Sequence, residues 1–175
     1  MVSFATLIFF SFTGITLNHP TWFGAGEEKI KDLEGEFAAA EVGPKLDKLT
    51  IAESLRSRHS LRGAVSEFEV DEFECMVVFK GPGYAADVFI DRDSGAYSVT
   101  ETTTGMMAIM NDLHKGRDTG TAWSWVIDLS AILMLLMGLS GFGLLFYVRK
   151  RRVSGVVAAF VGTALLLFVW IVFVP

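Results

Sequence analysis

The chain has 175 residues, 51% of them hydrophobic, with 15 Lys/Arg against 20 Asp/Glu and a formal net charge of −5. That balance argues against binding nucleic acid or anionic headgroups by charge. The lone Cys75 excludes an internal disulfide.

The first apolar block covers residues 2–17 and ends in Asn18-His19-Pro20. As a helix it reaches roughly 24 Å at ~1.5 Å per residue, a little less than a hydrocarbon core of ~30 Å. A signal peptide would carry a basic n-region and a small-residue cleavage site. No Lys or Arg precedes Lys29, and Asn-His-Pro-Thr-Trp is a poor cleavage context. A retained transmembrane helix is expected, with Pro20 ending it and Trp22 and Phe23 as interfacial aromatics.

Residues 24–122 hold 11 Lys/Arg and 19 Asp/Glu, about −8 in all. Over residues 27–41, Ile30, Leu33 and Phe37 recur at three and four, which predicts an amphipathic helix, stopped at Gly43-Pro44. A second helix is predicted to start near residue 49, with Thr50 as cap and Glu53 completing a capping box. It runs to His59, whose cationic form would complement the helix dipole. The period then changes to two. Strands are predicted over 64–73, 74–80, 84–90 and 96–102, separated by turns at Gly81-Pro82-Gly83 and over 91–95. Cys75 reads as a buried strand residue. Glu67, Glu69, Asp71, Glu72 and Glu74 read as the solvated face of a strand pair. A last helix over 104–115 carries Met106, Met107, Ile109, Met110 and Leu113. That stripe suits an apolar face lying on the sheet or the membrane interface, or else a soft thioether contact to a metal or haem edge.

Two longer apolar blocks follow. Residues 123–148 contain one acid, Asp128, and residues 153–174 contain no charge. Between them stands Arg149-Lys150-Arg151-Arg152, a short basic loop of the kind that stays cytoplasmic. The expected class is therefore an integral membrane α-helical protein of three spans plus an α+β outer domain with a small antiparallel sheet. The boundaries read 1–22 for the first membrane helix, 23–120 for the extracytoplasmic domain, 121–148 for the second helix, 149–152 for the loop and 153–175 for the third helix. In a bacterium this is an inner-membrane protein whose main domain lies on the periplasmic or exterior side.

Three polar groups stand out against this background. His19 closes the first span, His114 precedes the second, and by the expected topology both lie at the outer interface. Asp128 is the ionisable group inside a span, and such groups usually face a partner or a wet cavity. It could orient His19 or His114, or accept from Thr13, Thr16 or Ser130 and tie helices together. Glycines 138, 141 and 143, with 155 and 162 in the last block, allow close helix approach. No HExxH, CxxC, GxSxG or phosphate-binding glycine loop is present.

The segments Phe12-Thr13-Gly14-Ile15-Thr16-Leu17-Asn18-His19-Pro20, Leu113-His114-Lys115-Gly116-Arg117, Asp128-Leu129-Ser130-Ala131 and Gly138-Leu139-Ser140-Gly141 resemble the small three-helix branch of the PepSY-associated transmembrane proteins. Residues 50–102 are similar to a PepSY domain. The likeness covers nearly the whole chain and departs at the front, where such proteins begin with a basic stretch and a longer first helix.

The resemblance implies two functions. Larger relatives are haem b membrane proteins, some of them reductases of siderophore-bound iron. On that basis His19 and His114 are expected as axial ligands of a haem b serving electron transfer or iron reduction, with Arg117 or Lys115 near the propionates and Asp128 at the site. Spans two and three hold no His or Cys, so one such site serves only the outer face. The alternative is a non-catalytic, membrane-anchored binding or regulatory subunit. Its partners are then the lipid bilayer and a membrane-protein complex or homodimer, with no nucleic acid.

Overall fold

The computed structural model describes residues 2–38, 41–43, 46–148 and 152–175. The chain divides into two compact units, Met1–Ile127 and Asp128–Pro175.

The first unit opens with helix α1 (Val2–Asn18) and a short 3-10 turn, Trp22–Gly24. The rest is β1 (Glu28–Glu36), α2 (Lys48–His59), β2 (Ala64–Val70), β3 (Glu74–Gly81), β4 (Tyr84–Asp91), β5 (Ala96–Thr104) and α3 (Met106–Lys115). The five strands form one antiparallel sheet in the order β1-β5-β4-β3-β2. Hairpins link β2 through β5, and Pro82-Gly83 turns β3 into β4 with Gly83 at φ 65°, a positive φ that glycine adopts without a Cβ clash.

Strict alternation along β4 buries Tyr84, Ala86, Val88 and Ile90 on one face. Cys75, Val77, Phe79, Tyr97 and Val99 join them from the neighbouring strands, and Ile51, Ala52 and Leu55 of α2 pack against this layer. On the opposite face, among the described residues of this unit, Phe89 is exposed and no helix packs as α2 does, as antiparallel sheets permit. Cys75 is fully buried, as expected, and burial pushes its thiol pKa up.

The first element of the domain corrects the sequence expectation. Residues 27–41 do not form an amphipathic helix; residues 28–36 form β1, paired along its whole length with β5 from Glu28↔Thr104 to Glu36↔Ala96. Ile30, Leu33 and Phe37 fit a helical stripe, but Leu33, Gly35 and Phe37 also fit a period of two, and tertiary pairing decides. Phe37 is buried beside Tyr97, ring centroids 4.8 Å apart. Any Cβ on Gly35 would run into the Tyr97 phenol. An isolated helix of ~15 residues is marginal in water, whereas β5 offers a full ladder of backbone partners. Pro44, expected to stop that helix, lies outside the described residues.

The cap of α2 also differs. Asp47, not Thr50, is the N-cap. Its carboxylate accepts from the Leu49 N–H at 3.1 Å and from the Thr50 hydroxyl at 2.7 Å, and these bonds lower its pKa, the Thr50 bond most. A carboxylate one residue before the first turn outcompetes a threonine inside it.

Helix α4 (Gly120–Tyr147) starts in the first unit and continues through the second, which ends with α5 (Arg152–Phe173). At 28 and 22 residues, both are long and apolar enough to cross a membrane. Helix α1, at 17 residues, is a shorter apolar helix, so two helices rather than the expected three meet that length. No residue of α5 is buried, as suits a helix whose solvent is lipid. Residues Arg149, Lys150 and Arg151 of the expected basic loop lie outside the described residues.

Candidate functional site

The polar groups of the first unit converge where α3 lies on α1. Thr13 and Thr16 stand three residues apart on one side of an otherwise apolar helix, and both are essentially inaccessible, at 0% and 1% exposure. Asn111 and His114 have the same spacing on α3. The Thr16 hydroxyl donates to Asn111 Oδ1 at 2.7 Å. Thr13 Oγ1 lies 2.5 Å from His114 Nδ1. Rising numbers on α3 thus meet falling numbers on α1, and the two helices run antiparallel with a three-residue step. Spacing of three and four brings side chains onto one helix face, so each helix contributes a two-residue polar ladder.

The proton positions in this seam follow from the acceptors. Thr13 Oγ1 also lies 2.6 Å from the Phe9 carbonyl oxygen, which can only accept. The single hydroxyl proton therefore points at Phe9, and His114 must donate its Nδ1–H to Thr13 Oγ1. The imidazole is then the Nδ1–H tautomer, with no hydrogen bond to Nε2 among the described residues. Burial, with Lys115 adding to it, lowers the His114 pKa, which keeps the ring neutral at neutral pH. Phe10 packs against the same ring, centroids 5.0 Å apart and edge-on.

Several contacts fix α3 from its other sides. The Gly83 N–H donates to Asp112 Oδ2 at 2.9 Å, tying α3 to the β3–β4 turn. Ile109 sits so close to Gly83 that no larger residue fits there. Trp123 Nε1 donates to the Leu113 carbonyl at 2.8 Å, and its ring lies edge-on to Phe9. Gly116 caps α3 at φ 69° with its N–H on the Asp112 and Leu113 carbonyls, the left-handed C-cap glycine adopts freely. The sheet is thereby mounted on α1 through α3. The methionine-rich stripe serves this packing in part, while Met106 stays 77% exposed.

The four residues expected at a haem site take separate positions. His114 is inserted in the α1–α3 seam. His19 stacks face to face on Trp22, centroids 3.9 Å apart. Extending the helical register one residue past the end of α1 puts His19 level with Ala108, about 9 Å from the level of His114 at ~1.5 Å per residue. Two axial ligands must face each other across one porphyrin; as they stand, these two rings have different neighbours at different depths and do not fit that role together. Arg117 lines a polar cavity of about 480 Å³ with Glu28, Lys80, Asp112 and Asp118. Asp128 is exposed in α4, with no hydrogen bond or ion pair among the described residues. No group of three or more His, Cys, Asp or Glu that could hold a metal occurs among the described residues.

His59, expected only to complement a helix dipole, also places Nε2 2.9 Å from the Tyr97 hydroxyl. Asn111 escaped the sequence reading, and Thr13 and Thr16 entered it only within the family-like segment 12–20 and as donors to Asp128. The usable signal was the matched spacing, Thr-x-x-Thr in an apolar helix and Asn-x-x-His in a second.

The family model described as PepSY_TM-like matches residues 1–175, the full length of the chain. No curated protein and no solved structure matches.

Proposed function

The chain belongs to the PepSY_TM-like family and is a membrane protein, and we propose that it works as a non-catalytic, membrane-anchored binding subunit of the bacterial inner membrane. In this reading α1, α4 and α5 all span the bilayer, the basic loop is cytoplasmic and the acidic α+β domain faces outward. The α1–α3 seam is the observation that carries it. One buried and one part-buried polar pair, a neutral histidine and a docked tryptophan fix the sheet to its anchor. Polar pairs of this kind join helices in apolar surroundings. A domain so mounted presents a surface at a set height and angle to partners near the membrane.

A haem reading would need His19 and His114 on one iron, whereas His114 lies against Thr13 and Phe10 and His19 stacks on Trp22. Asp128 favours a partner within the membrane. An exposed carboxylate inside an apolar helix is costly in lipid unless another chain supplies a donor or a cation.

The test is topology. In a Cys75→Ser background, a thiol introduced by Ser57→Cys should react with a membrane-impermeant maleimide in intact cells, and one introduced by Lys150→Cys should react only after lysis. The opposite labelling pattern would overturn the reading.

A further inference from the structure

The uncovered face of the sheet carries a groove of about 610 Å³, within the size range of ligand sites. Its lining includes two exposed aromatic rings, Phe73 and Phe89, the buried Tyr97, and three carboxylates, Glu34, Glu74 and Asp91, but no Lys, Arg or His. Phe73 is 68% exposed and Phe89 43% exposed.

This apolar floor is held in shape. The Arg92 N–H donates to the Phe73 carbonyl at 3.0 Å. The Arg92 guanidinium donates to the carbonyls of Asp71 and Glu72 on the Phe73 loop, and to those of Val42 and Gly43. A charged side chain with its donors directed at four carbonyls fixes the loop that keeps Phe73 in water. Asp91 is fixed likewise: its Oδ1 accepts from Asp93 N, Ser94 N and Ser94 Oγ at 2.8–3.0 Å.

The register locates the groove on the domain. Strand β1 enters and β5 leaves at the pair Glu28↔Thr104, beside α3, whereas the groove lies at the other end, around Glu34↔Ser98 and Glu74↔Asp91. Six residues of strand at ~3.4 Å each separate the two ends by roughly 20 Å. The groove is thus on the part of the sheet farthest along the strands from the α1–α3 mount.

We propose that this groove docks a cationic segment of a partner protein, an extended stretch in which Lys or Arg alternates with an apolar or aromatic side chain. The proposal rests on the reading of the chain as an anchored binding subunit and names the surface that binds. Charge complementarity selects the occupant. The carboxylates take the cations, the exposed rings take the apolar side chains, and a cation above a phenylalanine face adds attraction of its own. A second copy would set carboxylate against carboxylate, and nucleic acid has the wrong sign. A bare metal ion leaves the two aromatic rings unused.

The experiment is fluorescence anisotropy with the full-length protein in zwitterionic detergent and a short labelled peptide alternating lysine and phenylalanine. Saturable, salt-sensitive binding is expected, weakened about tenfold by Glu74→Gln and by Phe73→Ser. Glu28→Gln, which removes the same charge at the mounting end, should leave it unchanged. Phe73 is on an exposed loop, so its replacement leaves folding intact. No binding, wild-type binding by both groove variants, or equal weakening by Glu28→Gln overturns the groove. If the thiol of Ser57→Cys still labels from outside while the peptide fails to bind, the anchored-subunit reading survives without the groove; if that labelling is lost, the subunit reading itself fails.

Discussion

Replacing Thr13 by valine keeps the shape of the side chain and removes the one acceptor of the His114 Nδ1–H. The bond is short, at 2.5 Å, and Thr13 is inaccessible to water, so the orphaned donor cannot recover a water molecule without opening the seam. An unsatisfied buried donor costs about 1–3 kcal/mol. Because α3 is held to α1 by this bond and by Thr16–Asn111, the loss should appear as easier local opening of α3. Amide hydrogen exchange across residues 106–115 of the full-length protein should accelerate roughly fivefold to a hundred-and-fiftyfold. Thr13→Ser, which keeps the hydroxyl, should exchange nearly as the parent does. Thr13→Val combined with His114→Leu should lose less than the two single changes summed, since it leaves neither partner stranded. If Thr13→Val exchanges within about twofold of the parent, or if the double variant is strictly additive, the seam does not hold α3 as described.

Three further outcomes follow from the same geometry. The Cβ of Gly35→Ala would strike the Tyr97 ring, which packs on Phe37 and meets His59; overpacking of this kind costs about 1–3 kcal/mol, so a lowered melting midpoint is expected and an unchanged one would count against the β1–β5 register. The His114 pKa is lowered from 6.5 by burial and by Lys115, so the unfolded chain takes up its proton first; stability should be full above about pH 6.5 and fall as the pH drops toward the folded pKa, a slope that His114→Asn should flatten and that would be missing in the parent if the ring were solvated. The purified protein, oxidised or dithionite-reduced, should show no Soret band; a band lost in both His19→Ala and His114→Ala would restore haem ligation.

Much of the fold was legible because periodicity and turns are local signals. Strands β2 to β5 announce themselves by alternation punctuated by turns at Pro82-Gly83 and Gly95, and α4 and α5 by length and apolarity. Strand β1 was not legible, because Ile30, Leu33 and Phe37 fit a helical stripe while Leu33, Gly35 and Phe37 fit a period of two, and its partner, β5, lies sixty or more residues away. Gly35, out of place in a helix and required under Tyr97, was the clue. The site was legible in its residues but not in its pairings. His114 was marked by its position beside a span, yet which group its ring would meet depended on how α3 lies on α1, and no local pattern encodes that register. Once it is known, Thr13, Thr16, Asn111 and His114 account for one another, and His19 drops out of the set.

Cross-linking in native membranes tests that register most directly. In a Cys75→Ser background, the pair Thr16→Cys/Asn111→Cys should form an oxidative cross-link, because the parent side chains meet at 2.7 Å. The pair His19→Cys/His114→Cys, about 9 Å apart in level, should not. Efficient cross-linking of the second pair but not the first would contradict the mount of the outer domain on α1 and return the two histidines to a common site.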